Sequence, residues 1–320
     1  MSSVRTCLTA LIGAAGLAIA MTGHAQTYPN KPIKMIIPYA AGQGTDIIGR
    51  YVADELSRRI KQSIVIDNRP GAGGNIGTQI AARSPADGYT LMIGTNATHA
   101  ANAFLYDQPG FDAQNDFEPI AMIGILPLVY VTSPTNPVNT IQELIGAAKS
   151  RPDVLNTAVS TTTCRMAHEL FKSRSGAAMT PVDFKGSAQS ISAVLGGHVE
   201  YMVDTIASLQ AQVVSGQLKP LGVTSLKSSR LLPGVKSIAE QGVSGYELVG
   251  WTVVFAPKGV SPEVSQTLST AIGQVLSAAE VQAKLLQLGM DPQFKSGNDL
   301  RSFVVSEKEK WGRLINVTKH

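Results

Sequence analysis

Short, almost wholly apolar runs alternate with longer stretches of helical periodicity along most of this chain, and few folds accept that pattern. Lys34-Met35-Ile36-Ile37-Pro38, Ile64-Val65-Ile66 and Thr90-Leu91-Met92-Ile93 read as strands. Between the first two, Ile48, Val52, Leu56 and Ile60 recur on one face of a helix that Thr45 or Asp46 can cap. Residues 75–83 read as a second helix. A strand without polar alternation is buried on both faces, so these strands imply a parallel sheet covered by helices on each side.

Farther along, residues 118–123 and 128–131 run extended, and the segment 133–138, with Pro134 and Pro137, reads as a crossing linker. A second alternating set follows, with helices near 140–150, 165–174 and 188–195 and strands near 155–159, 181–184, 199–204 and 218–224. Residues 246–256 form an extended segment that can return the chain to the first domain. Ser261-Pro262-Glu263 is a strong helix start, and Leu300, Phe303, Val304, Trp311, Leu314 and Ile315 fit one face of a final helix. The reading is a first domain over 26–127, a second over 128–248, and a return to the first over 249–320. Two α/β domains joined by such crossings make a hinge and a cleft.

Arg5, the uncharged apolar stretch from Leu8 to Met21 and the small-x-small sequence Gly23-His24-Ala25 have the form of a secretory signal, so residues 1–25 are expected to be removed on export. That leaves one cysteine, Cys164, and hence no internal disulfide; the fold must rest on its core. The net charge of +4 is mild and its cations are scattered, which argues against nucleic-acid binding.

Several loops carry chemistry. Asn68-Arg69-Pro70-Gly71-Ala72-Gly73-Gly74-Asn75-Ile76-Gly77 lies between a strand and a helix, and it suits either an anion cradle or a plain tight turn. Pro38-Tyr39-Ala40-Ala41-Gly42-Gln43-Gly44-Thr45-Asp46 is a strand end, a permissive turn and a helix start. It is no dinucleotide fingerprint, because Ile47 occupies the third glycine position, and it has no P-loop lysine. Asp46 can serve as a first-turn acid, fix the loop or accept hydrogen bonds from a ligand. Thr95-Asn96-Ala97-Thr98-His99 follows the third strand, at the end where open α/β sheets bind ligands, and reads equally as a solvated loop. Ser160-Thr161-Thr162-Thr163-Cys164-Arg165 begins a helix with hydroxyls and a guanidinium suited to an anion, or with a cap and an exposed charge. Lys185 and Asp204 end strands of the second set and face either the cleft or solvent. Trp251 reads as core or hinge packing. Cys164 and His168 can share a helix face but lack further ligands at metal spacing, and no Gly-x-Ser-x-Gly elbow occurs.

Taken in order, these stretches resemble the Bug-type receptors, the extracytoplasmic solute-binding proteins of tripartite tricarboxylate transporters. Further marks are Ala86-Asp87-Gly88-Tyr89-Thr90-Leu91, Asp116-Phe117-Glu118-Pro119-Ile120, Phe184-Lys185-Gly186, Leu195-Gly196-Gly197-His198-Val199 and Ala239-Glu240-Gln241-Gly242. The resemblance implies an α/β, two-domain periplasmic-binding-protein fold of the type II, Venus-flytrap kind, with a hinge and an interdomain cleft. It also implies a monomeric periplasmic receptor without catalysis, metal or cofactor, which binds a small organic anion such as a dicarboxylate or aromatic acid and delivers it to membrane transporter subunits.

By position, the loop bearing Tyr39, Ala40, Gly42, Gly44, Thr45 and Asp46 would hold one carboxylate end, with Gly73, Thr95, Asn96 and Thr98 lining that wall. The opposite wall departs from the family pattern. Ser160, Thr161, Thr162, Thr163 and Arg165 stand where relatives are richer in glycine and serine and usually carry a histidine. Arg165 is expected to face the cleft and favour a second anionic group, with Lys185 and Asp204 nearby. The alternatives are a sensor that signals to a membrane partner, and a hydrolase using Cys164, His168 or Ser187.

Overall fold

The computed structural model describes residues 28–318, so the expected signal segment lies outside the described residues. Every element named below lies within residues 31–318. The strands are β1 (Ile33–Ile37), β2 (Ile64–Asn68), β3 (Thr90–Thr95), β4 (Phe117–Thr132), β5 (Asn156–Val159), β6 (Thr180–Asp183), β7 (Tyr201–Thr205), β8 (Lys219–Val223), β9 (Val249–Pro257) and β10 (Asp291–Lys295). They join in the order β2-β1-β3-β9-β4-β7-β5-β6, with β8 and β10 also paired to β4.

The sheet is mixed. β1 pairs in parallel with β2 and β3, and β5 with β6 and β7, as the apolar runs imply. The central strands β9 and β4 are antiparallel to each other and to their outer neighbours. No helix separates the extended runs at 118–123 and 128–131, because they are one 16-residue strand. Its first part, Phe117 to Pro127, pairs with β9, and its last part, Leu128 to Thr132, pairs with β7. The chain therefore passes between the two parallel sets inside a strand. The expected linker at 133–138 is instead a turn beyond that strand, closed by Asn136 N donating to Ser133 O at 3.0 Å. Pro134 and Pro137 lack the N–H a ladder needs, so they end the strand there.

Helices start where their caps direct. Thr140 accepts from Glu143 N to open the helix Ile141–Ser150, and Ser261 accepts from Val264 N before Pro262. The helix Gly44–Ile60 differs from expectation: Gln43 holds the cap position without a side-chain capping bond, and Thr45 and Asp46 lie in the first turn. The helix Ile206–Val214 and β10 were not legible, the first because its apolar residues run on from β7. On the final helix, Gly297–Thr318, Leu300, Trp311 and Ile315 are buried as their spacing predicts. Trp251 is also core: its ring meets Phe303 edge-on at 5.6 Å, and its Nε1 donates to Glu307 at 3.0 Å.

Candidate functional site

The loops after β1, β2 and β3 face the loops after β5, β6 and β7, so the carboxyl ends of both parallel sets meet. Gly44 N donates to Ser208 Oγ at 2.8 Å, and Asn96 Nδ2 donates to Thr163 Oγ1 at 2.9 Å. Only glycine permits the first contact, since a Cβ on Gly44 would stand 2.2 Å from Thr205 Oγ1. Between these contacts lies a cavity of about 30 Å³, room for about one water. Tyr39, Gly44, Thr45, Thr95, Asn96, Thr163 and Asp204 line it, together with Trp251. A wider cavity of about 500 Å³ runs between Tyr39, Ala40 and Gly73 on one wall and Ser160, Thr161 and Lys185 on the other. A third, of about 410 Å³, shares Gly73, Ser160 and Thr161 with it and adds Thr162 and Arg165.

Three of the expected ligand residues line none of these cavities. Asp46, 2% exposed, accepts from Gly42 N at 2.9 Å, Asn68 Nδ2 at 2.8 Å and Arg50 Nε at 3.0 Å. Asn68 also donates to Tyr39 O at 3.0 Å, so the first residue of the glycine-rich run ties down the first loop. Thr98 accepts from Thr95 N and contacts His99 Nδ1 at 2.9 Å, and Thr95 in turn meets the Tyr39 hydroxyl at 2.6 Å. Asp46, Gly42 and Thr98 thus hold the loops that others present to the cleft. His99 lies in a π-helical turn, Ala97–Ala101, stacked on Phe255 with ring centroids 3.8 Å apart. Burial lowers its pKa to about 3, so it stays neutral.

Across the cleft, Asp204 is 2% exposed and gathers three strand ends. Ser160 Oγ donates to it at 2.6 Å, Ser187 Oγ at 2.8 Å and Thr205 N at 2.7 Å. Burial raises its pKa above the ordinary carboxylate value, against the lowering pull of these donors. Ser208, which receives the Gly44 N–H, lies 3.3 Å from Ser187 Oγ and 2.9 Å from Thr205 Oγ1. Arg165 lines the third cavity but is bound: Asp183 pairs with its guanidinium, and Glu169 stands 3.9 Å away.

The thiol and imidazole do not form a catalytic pair. Cys164 is fully buried, with its sulfur 3.0 Å from Thr161 Oγ1, and burial, with the Asp204 charge, pushes it up to about 12. His168 Nε2 is spent on Met179 O at 3.2 Å, and burial lowers its pKa to about 4. Ser187 is committed to Asp204. Among the described residues, no His, Cys, Asp and Glu group is placed to hold a metal ion.

Sequence reasoning reached Gln43 and Thr205 only as members of the first-strand loop and of the Asp204-Thr205 strand end, and it missed Ser208. The last sits four residues beyond Asp204, on the helix whose pattern merged with β7. It also missed Leu105, Tyr106, Met166 and Phe184, the apolar walls of the outer cavities. For Phe184 a signal existed in the Phe184-Lys185-Gly186 stretch.

Residues 48–319 match the Tripartite tricarboxylate transporter family receptor. Protein BugT of Bordetella pertussis is 32% identical over 319 residues, covering 97% of this chain and 98% of its own. Among solved structures, R. palustris Rpa4515 with adipate is 34% identical, with a TM-score of 0.88, covering 91% of this chain and 98% of that one. MatC from Rhodopseudomonas palustris with bound malate is 25% identical, with a TM-score of 0.81, covering 90% and 100%. The mixed α/β fold is that of periplasmic binding proteins, and this chain belongs to the tripartite tricarboxylate transporter receptor family.

Proposed function

We propose that this protein is a periplasmic receptor that captures a small organic carboxylate between its two parallel strand sets and delivers it to the membrane subunits of a tripartite transporter. The observation that carries this reading is the convergence of both sets of strand ends on one cleft, bridged by Gly44 to Ser208 and Asn96 to Thr163. The two lobes would be 31–127 with 249–318, and 128–248, hinged within β4 and where the chain enters β9. The ligand would sit in the cavity of about 500 Å³, with its carboxylate among Lys185, Thr161 and the first-strand loop. Ordered water can complete such contacts at little cost. Closure would be a shift of population toward the form the ligand favours. Its relatives bound adipate and malate, which supports the class of ligand. Among the described residues no helix is long and apolar enough to cross a membrane.

Thermal denaturation with a panel of mono-, di- and tricarboxylates tests this. A ligand at about 100 times its Kd adds about 2.7 kcal/mol, a rise in Tm of about 5 °C for a chain of this size. If no carboxylate raises Tm, or if a bound acid is turned over, the reading is wrong.

A further inference from the structure

The charged side chains lining these cavities are Arg165, Asp183, Asp204 and Lys185, and only the first two pair with each other. The Arg165 guanidinium is taken by Asp183, with Glu169 at 3.9 Å. Deeper in, Asp204 is a buried carboxylate whose donors are all protein groups, so that end of the cleft repels an anion. Lys185 is different. It lines the cavity of about 500 Å³ and makes no ion pair among the described residues. The remaining lining is largely apolar, with Pro38, Pro70 and Phe184 in that cavity and Leu105, Tyr106 and Met166 in its neighbour.

Resting on the carboxylate reading above, we propose that this receptor selects acids with one carboxylate and an apolar body over dicarboxylates of similar length, and that Asp183 sets the choice. A first carboxylate meets Lys185 and the hydroxyls of Ser160 and Thr161. Among the cavity-lining side chains a second could be matched only by Arg165, where it would compete with Asp183, bound to one terminal nitrogen, and with Glu169 3.9 Å away. Exchanging one carboxylate for another on the same guanidinium gains little, while the incoming group still loses its water. An apolar body loses nothing against Phe184, Tyr106 and Met166 and gains by burial. Arg165 therefore lines the outer cavity with its charge already shared with Asp183.

Isothermal titration of the purified protein with two matched pairs tests this: hexanoate against adipate, and phenylacetate against para-phenylenediacetate. The monoacid of each pair is expected to bind about fivefold more tightly. Asp183→Asn frees Arg165 and should tighten the diacids by about fivefold while moving the monoacids less than about twofold. Adding Arg165→Gln to that variant should abolish the gain. Asp183 is 74% exposed on its side chain, so its substitution leaves the fold intact. Tighter diacid binding by the unmodified protein, or a gap that Asp183→Asn does not move, overturns the selectivity and leaves the carboxylate reading standing. Failure of every acid to bind overturns both.

Discussion

Two buried aspartates, each 2% exposed, organise opposite walls of the cleft by different means. Asp46 has a cation: Arg50 donates to it from one helical turn on, and Asn68 and Gly42 N complete its shell. Its work stays within one wall, fixing the loop after β1 to the end of β2. Asp204 has no cation against it among the described residues. Hydroxyls and one N–H surround it, drawn from the ends of β5, β6 and β7, and through Ser187 and Thr205 they orient the Ser208 that meets Gly44 across the cleft. A compensated carboxylate acts as a fixed brace. One held only by neutral donors keeps its desolvation cost and gathers the moving parts around itself.

The largest effect should come from the brace. Asp46→Ala removes the buried carboxylate that accepts from Gly42 N and Asn68 Nδ2, two hydrogen bonds to a charged group, at a cost of about 3 kcal/mol. Arg50 is about half exposed, so its lost ion pair adds little. Urea denaturation measures the loss directly. A change below about 1 kcal/mol would mean that the first loop does not depend on Asp46, and the contrast with Asp204 would collapse.

How much of this could be read in the sequence follows the same division. The brace was half visible: a polar residue in a first helical turn and a glycine-rich run beside it are local signals, and Asn68 lies in that run. That Asn68 reaches Asp46 depends on β1 and β2 lying side by side in parallel, which the apolar runs imply without fixing which residues meet. The Asp204 cluster was hardly visible, because its donors are ordinary serines and a threonine from three strand ends, spread from Ser160 to Thr205. Local sequence marks a strand end well and a convergence of strand ends poorly. The antiparallel centre failed for a related reason. An all-apolar run reports burial on both faces, and β4 and β9 are as buried as any parallel strand, so direction left no trace. Arg165 lines the third cavity, while its partner Asp183 is contributed by β6, a different element.

Gly44→Ala probes the contact between the walls. Gly44 has helical backbone geometry, so alanine strains nothing within its own helix and even favours it. The added methyl instead meets Thr205 Oγ1 at 2.2 Å and Ala207 Cβ at 3.3 Å, both on the far wall. Under the proposed closure, the overpacking, about 2 kcal/mol, falls only on the form in which these two loops meet. Ligand affinity should drop by more than about tenfold while Tm without ligand changes little. Small-angle scattering should show the variant remaining open with ligand present. Unchanged affinity would show that closure does not bring these two loops together.

The smallest effect at neutral pH is the most telling for the comparison. Because burial raises the Asp204 pKa, the folded protein holds its proton more tightly than the unfolded chain does. Its ionisation then costs stability: the group is most favourable below the ordinary carboxylate pKa, and that advantage is lost as pH rises from there through the raised value. Asn is a neutral isostere that still accepts from Ser160 or Ser187, so Asp204→Asn should change stability by less than about 1 kcal/mol at pH 7. The difference between wild type and variant should tilt toward wild type as pH falls through that window. His99 and His168, with pKa values lowered to about 3 and 4, act in the opposite direction, since the unfolded chain takes up their protons first and stability falls with acid. Both histidines are present in the two proteins and cancel in the difference. A variant that loses several kcal/mol at pH 7 would show that the Asp204 charge is stabilising, as in a compensated site, and the two aspartates would then be braces of the same kind.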